Sequence, residues 1–118
     1  MNTINIEGVE YIYLIDKSEN EKNVTIKLKE AKPNKNITFT YEASYEKIIN
    51  DIKPLNSCDN IEEIISSLKI IFLKNKISAE KREEKYFMII KIYTFEKIKK
   101  YEIELKKQES IYEKKINY

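Results

Sequence analysis

Apolar and polar side chains alternate with a period of two through much of the first half of the chain. Val24, Ile26 and Leu28 alternate with Thr25, Lys27 and Lys29 within Lys22–Lys29, and Ile37, Phe39 and Tyr41 alternate with Thr38, Thr40 and Glu42 within Asn36–Glu42. This spacing predicts strands with one buried face, because successive strand side chains point to opposite sides. Val9–Ile15, rich in β-branched and aromatic residues, predicts a further strand ahead of them. The polar stretches Asp16–Glu21 and Ala31–Asn36, the second containing Pro33, supply the turns. A three-stranded meander is therefore expected to open the fold.

The period then becomes helical. Tyr45, Ile48, Ile49 and Ile52 stand at i, i+3, i+4 and i+7 behind Ser44, a good N-cap, and Pro54 ends the run. A second helix is expected from the capping box Asp59-Asn60-Ile61-Glu62, with Ile61, Ile64, Ile65, Leu68, Ile71 and Phe72 on one face. Asn75 is expected to close it in a left-handed conformation, with Lys74 and Lys76 beside the negative end of the helix dipole. Leu55–Cys58 would join the two into a helical hairpin.

Strand patterns return after Asn75. Ile77–Lys81 is short, Arg82–Glu84 reads as a turn, and Lys85–Tyr93 is the most apolar segment, with Tyr86, Met88, Ile90 and Ile92 on one face and Phe87 and Ile89 on the other. Its two apolar faces predict the central strand. Ile98–Lys107 follows, with Tyr101, Ile103 and Leu105 alternating with Glu102, Glu104 and Lys106. The expected order is β-β-β-α-α-β-β-β, an α+β domain whose antiparallel sheet curls into an open barrel or sandwich with the helix pair packed on one side. One globular domain would span residues 1–107. Residues 108–118 form a charged tail that could start a helix or a coiled coil.

Composition narrows the function. The 118 residues contain no histidine, one cysteine and one glycine. Histidine is the side chain that titrates near neutrality and the commonest metal ligand, and Gly8 alone cannot build a glycine-rich phosphate loop. No catalytic residue, metal site or cofactor is therefore assigned, and the chain reads as a non-enzyme without a small-molecule substrate. The net charge of +2 gives no strong global field, although residues 1–60 carry 8 Lys against 10 acids and residues 61–118 carry 14 Lys and Arg against 10. No apolar run could span a bilayer, and the N-terminus lacks the pattern of a signal peptide, so a cytoplasmic protein without a membrane partner is expected. The lone Cys58 agrees with a reducing compartment and is expected as a small packing residue. The excess of Ile, Lys, Asn, Glu and Tyr fits translation of an AT-rich genome.

Two resemblances follow from the order of elements. The segment from Tyr41 to Leu105, YEASYEKIINDIKPLNSCDNIEEIISSLKIIFLKNKISAEK and then FMIIKIY and YEIELKK, resembles an uncharacterised N-terminal module of protist coiled-coil proteins. Its marks are the N-I-E-E-I helix, N-K-I-S leading into a strand, and a closing E-I-E-L-K-K. The architecture also resembles the small β-rich heads of the centriolar cartwheel protein and of the end-joining scaffold that binds DNA ligase IV, in which a helix pair interrupts a strand series and a coiled coil follows. This resemblance implies a head that dimerises or docks within a scaffold or cytoskeletal protein.

Within that frame the candidate contact residues are Phe95, Tyr93 and Lys97, around the turn between the final two strands. A large apolar side chain at a hairpin tip either folds back onto its sheet or inserts into a partner; in the cartwheel-type heads a side chain at an analogous position associates. The partner would be protein, including a second copy of this chain. The alternative is a nucleic-acid-binding module using the basic C-terminal half. Tyr11, Tyr13, Tyr41, Tyr86, Tyr93 and Tyr101 could stack on bases beside lysines, but glutamates interleave with those lysines, and tyrosine also fills core edges with its hydroxyl kept wet. Lys97, Lys99, Lys100, Lys106 and Lys107 form the most basic stretch, where lysine also guards a sheet edge against pairing. Glu62/Glu63 and Glu83/Glu84 read as solvated acids rather than acid/base pairs.

Overall fold

Strand alternation and helical periodicity meet in one core. The computed structural model describes residues 3–109. Four antiparallel strands open the chain: β1 (Thr3–Ile6), β2 (Val9–Lys17), β3 (Asn23–Glu30) and β4 (Ile37–Ser44). Helix α1 (Tyr45–Asp51), a 3₁₀ turn (Lys53–Ser57) and helix α2 (Ile61–Lys74) follow, and β5 (Lys76–Arg82), β6 (Lys85–Thr94) and β7 (Lys97–Glu109) complete the sheet. The strand order is β1-β2-β3-β4-β7-β6-β5, every neighbour antiparallel. The edge strands β1 and β5 lie side by side, so the seven-stranded sheet is nearly closed into a barrel.

The opening meander thus has four strands, not three. The additional strand, β1, pairs Ile4 with Tyr11 and Ile6 with Val9 across a two-residue turn, where Glu7 (φ 51°) and Gly8 (φ 84°) are both left-handed, the conformation such tight hairpins require. In the second half, β6 is not central. It stands between β7 and the edge strand β5, one place from the end of the sheet.

Period-two faces converge inside the barrel. Val24, Ile26 and Leu28 of β3 are completely buried, with Ile26 opposite Ile15 and Tyr41 in register and Leu28 opposite Tyr13 and Phe39. Phe39 packs edge-on against Tyr11 at 5.3 Å and tilted against Tyr86 at 4.7 Å. Burying such a side chain fully contributes about 1.5–3 kcal/mol. Both helices are footed on the sheet, α1 on β3, β4 and β7 and α2 on β2 and β3. Ile48, Ile64, Leu68 and Phe72 face the core, and Phe72 meets Tyr13 edge-on at 5.1 Å. Ile61, Ile65 and Ile71 are half-buried at the margin of the α2 footprint.

Helix ends are fixed by side chains. Ser44 Oγ accepts the Lys47 N–H at 3.2 Å, as its N-cap role predicts. At α2 the reciprocal cap is displaced by one residue from the expected box: Asn60 Oδ1 accepts the Glu63 N–H at 2.9 Å and Glu63 Oε1 accepts the Asp59 N–H at 2.9 Å. Asn75 is extended (φ −125°, ψ 168°) rather than left-handed, because β5 begins at the next residue. Its side-chain amide instead donates to the Ile71 carbonyl at 3.0 Å.

The outer face of β6 is covered by charge rather than by a second layer. Arg82 on β5 ion-pairs with Glu80 and, across β6, with both oxygens of Glu102 on β7; its guanidinium lies 5.0 Å from the Phe87 ring. Ile89, opposite Glu102 in register, is only 4% exposed on this face. The Arg82 contacts hold Glu102 at a pKa of about 2.

The last strand outruns the expected one. Gln108 and Glu109 belong to β7, opposite Thr38 and Ile37, so they are strand rather than the start of a tail. Residues 110–118 lie outside the described residues, as does any helix or coiled coil there.

Candidate functional site

The β6–β7 hairpin extends beyond both of its neighbours. Pairing between β5 and β6 ends at Lys76↔Lys91, and β4 meets β7 only over Thr40↔Lys106 to Ile37↔Glu109. Residues 92–99 therefore form a two-stranded arm, Ile92↔Lys99, Tyr93↔Ile98 and Thr94↔Lys97, closed by Phe95 and Glu96. At about 3.3 Å per residue the three pairs and their turn reach roughly 13 Å, about a quarter of the long dimension of a body measuring 56 × 32 × 27 Å. The Tyr93 N–H, at the root of the arm, lies 3.4 Å from Asn75 Oδ1 at the end of α2.

The arm presents apolar surface to solvent. Phe95 is fully exposed (109%), Tyr93 54% and Ile98 59%. Phe95 does not fold back onto the sheet. Its backbone is left-handed, φ 49°, a conformation that costs an L-residue about 1–2 kcal/mol and that glycine would adopt freely. Tyr93 and Ile98, directly opposite one another, share one face, and strand alternation puts Thr94, Lys97 and Lys99 on the reverse face. Together with Phe95 and Glu96 these three line an open concavity at the tip.

Of the residues expected at this site, the structure exposes both Phe95 and Tyr93 on the arm and places Lys97 beside the turn, on the face opposite Tyr93. Ile98 belongs to the apolar patch and was not foreseen. The signal lay in the two-residue turn, which fixes Tyr93 opposite Ile98.

Other candidate chemistry is engaged elsewhere. Tyr11, Tyr41 and Tyr86 are buried, Tyr13 and Tyr101 half-buried, and of the six tyrosines considered for stacking only Tyr93 is exposed. Burial pushes the Tyr11, Tyr13 and Tyr41 hydroxyls up in pKa, and Tyr41 is raised furthest, by burial first and then by its hydrogen bond to Asp51 at 2.7 Å. Partial burial pulls Asp51 upward, but the hydrogen bonds from Lys47 and Tyr41 outweigh it and leave its pKa below the ordinary value. Glu62 pairs with Lys17 at 2.6 Å, while Glu63 serves the helix cap. Glu83 and Glu84 are exposed at the β5–β6 turn. Cys58 is buried with its sulfur 3.4 Å from Ser67 Oγ. Among the described residues no group of three or more Cys, Asp or Glu side chains is placed to hold a metal, and no helix is long and apolar enough to cross a membrane. The chain matches no protein family, no curated protein and no solved structure.

Proposed function

We propose that this domain is a non-enzymatic, cytoplasmic protein-association module, the head of a scaffold or cytoskeletal protein of the coiled-coil kind, and that it associates with a second copy of itself through the β6–β7 arm. The observation that carries this reading is Phe95: an aromatic ring, fully exposed, held at the tip of a projecting ribbon in a backbone conformation that disfavours it. Among the described residues the fully exposed ring has no burial to offset that strain. Tyr93 and Ile98 extend the apolar surface along one face, giving an aromatic anchor with an apolar margin, the form in which association energy is concentrated. The small net charge leaves two copies free to approach. The nucleic-acid alternative is less favoured, since Tyr11, Tyr41 and Tyr86 line the core and Tyr93 alone of the six tyrosines is exposed.

Sedimentation equilibrium over a concentration series tests the proposal. The wild-type chain self-associates, and Phe95→Glu weakens that association by about 10–150-fold, the equivalent of the roughly 1.5–3 kcal/mol from burying one such side chain. Circular dichroism of the variant stays native because the side chain is fully exposed and no burial is lost. A wild-type chain that remains monomeric at millimolar concentration, or a Phe95→Glu variant that associates like wild type, refutes it.

A further inference from the structure

From the arm to the barrel, β7 carries an open backbone edge. Its pairing with β6 runs from Lys97 to Leu105, whereas β4 meets the opposite edge only from Lys106 onward. Among the described residues, no strand or turn hydrogen-bonds to that edge between Lys97 and Leu105. The two-residue turn fixes which groups face outward. Thr94 and Lys97 close the turn as a hydrogen-bonded pair, so Lys99, Tyr101 and Ile103 also direct their N–H and C=O groups toward β6. Ile98, Lys100 and Glu102 direct theirs the other way. Continuing the same alternation, Lys106 and Gln108 face β4.

The side chains along this edge select among possible strands. Lys97, Lys99 and Lys100 are exposed, and among the described residues Lys100 alone of the three has an ion pair, with Glu102 at 3.3 Å, a carboxylate already engaged by Arg82. A β7 edge from a second copy would bring lysines against lysines, and like charges opposite one another in a ladder are destabilising. An acidic strand instead meets complementary charge on both faces of the ladder. We infer that the free edge of β7 from Ile98 to Glu102 captures an acidic, extended peptide segment of a protein partner by strand addition. Its backbone would pair with the outward groups of Ile98, Lys100 and Glu102, and its carboxylates with Lys97, Lys99 and Lys100. This contact uses the edge of the ribbon rather than its tip, and does not depend on Phe95.

The probe is a blocked ten-residue peptide of alternating valine and glutamate, added to the isotopically labelled chain and followed by amide hydrogen exchange. In the free protein the amides of Lys99 and Tyr101, which face β6, should exchange more slowly than those of Ile98, Lys100 and Glu102. The peptide is expected to slow exchange at the latter three by about tenfold or more, with an affinity that falls as salt screens the lysines. Lys100→Pro removes an outward donor without touching the β6 ladder, a position where an edge strand tolerates proline, and should abolish the protection. Should that variant misfold, the triple substitution Lys97→Glu, Lys99→Glu and Lys100→Glu should weaken binding by about tenfold or more. The inference is overturned if millimolar peptide leaves the three amides unprotected, or if a valine–lysine peptide or a backbone N-methylated copy binds equally well. It is also overturned if a single-stranded oligonucleotide engages the lysines while the peptide does not, which would give the surface to nucleic acid.

Discussion

Leu68 gives the sharpest test of how α2 holds the barrel together. It is completely buried, flanked along the helix by Ile64 and Phe72, which are also buried. Truncation to Ala removes its packing and leaves a cavity that neighbours fill only partly, costing about 2–5 kcal/mol. Against a total stability of about 5–15 kcal/mol for a domain of this size, that lowers the thermal midpoint by roughly 10–30 °C. Leu68→Asp goes further, because an unpaired carboxylate would be held away from water, and the chain should not fold. Ile65→Asp separates burial from periodicity. Ile65 shares the apolar face but is only half-buried, so its carboxylate can reach solvent and the variant should fold with a lowered midpoint. Lys69→Asp, on the exposed side, should shift stability by no more than about 0.5 kcal/mol. Thermal denaturation followed by circular dichroism ranks the four variants. A cooperative, wild-type-like transition in Leu68→Asp would show that α2 does not seat on the sheet through this face.

Three further outcomes are expected. Arg82→Met should speed amide exchange in β5 and lower the thermal midpoint, because it breaks the bridge from β5 to Glu102 over the outer face of β6; unchanged β5 exchange would refute the bridging role. Asp51, with its pKa depressed in the folded state, stabilises the domain above its ordinary pKa, and that contribution is lost as pH falls through the folded value. Tyr41→Phe removes one of the two hydrogen bonds that depress it, so its acid unfolding, followed by circular dichroism, should begin at higher pH than in wild type; coincident curves would exclude the coupling. Glu83→Gly should raise the thermal midpoint by a few degrees, since Glu83 sits at φ 59° and release of that strain exceeds the added chain entropy by up to about 1 kcal/mol; a lower midpoint would mean that the Glu83 side chain contributes more than its backbone costs.

Much of this architecture was legible because one buried face per element imposes its period on the sequence. Ile26 and Leu28, Tyr41, and Ile64 with Leu68 all announce their elements. β1 escaped because four residues are too few to show alternation, although Glu7-Gly8 between Ile4–Ile6 and Val9–Tyr11 is a hairpin signal in retrospect. The central placement of β6 was inferred from Phe87 and Ile89, whose second apolar face is covered by Arg82 and the acids it binds instead of by another layer. No local pattern reveals an ion bridge between residues twenty positions apart. At the arm, Phe95 and Tyr93 could be found from the turn alone. The open edge of β7 could not, because it depends on where β4 stops pairing, a consequence of how the whole sheet curls.

The isolation of the arm has a thermodynamic consequence for anything that binds it. Beyond Lys91 the described residues hold the ribbon by its own cross-strand contacts, by Ile92 packed against the margin of the core and by the proximity of Tyr93 to Asn75, and a two-stranded hairpin is marginal in water. Its closed form is therefore a population set by local pairs such as Tyr93 with Ile98, separate from the cooperative melting of the barrel. Apparent affinity at the tip or the edge equals the intrinsic affinity multiplied by that closed fraction. Cross-strand substitutions at Thr94 thus act as a dial on binding strength, tuning occupancy without altering a residue of the core.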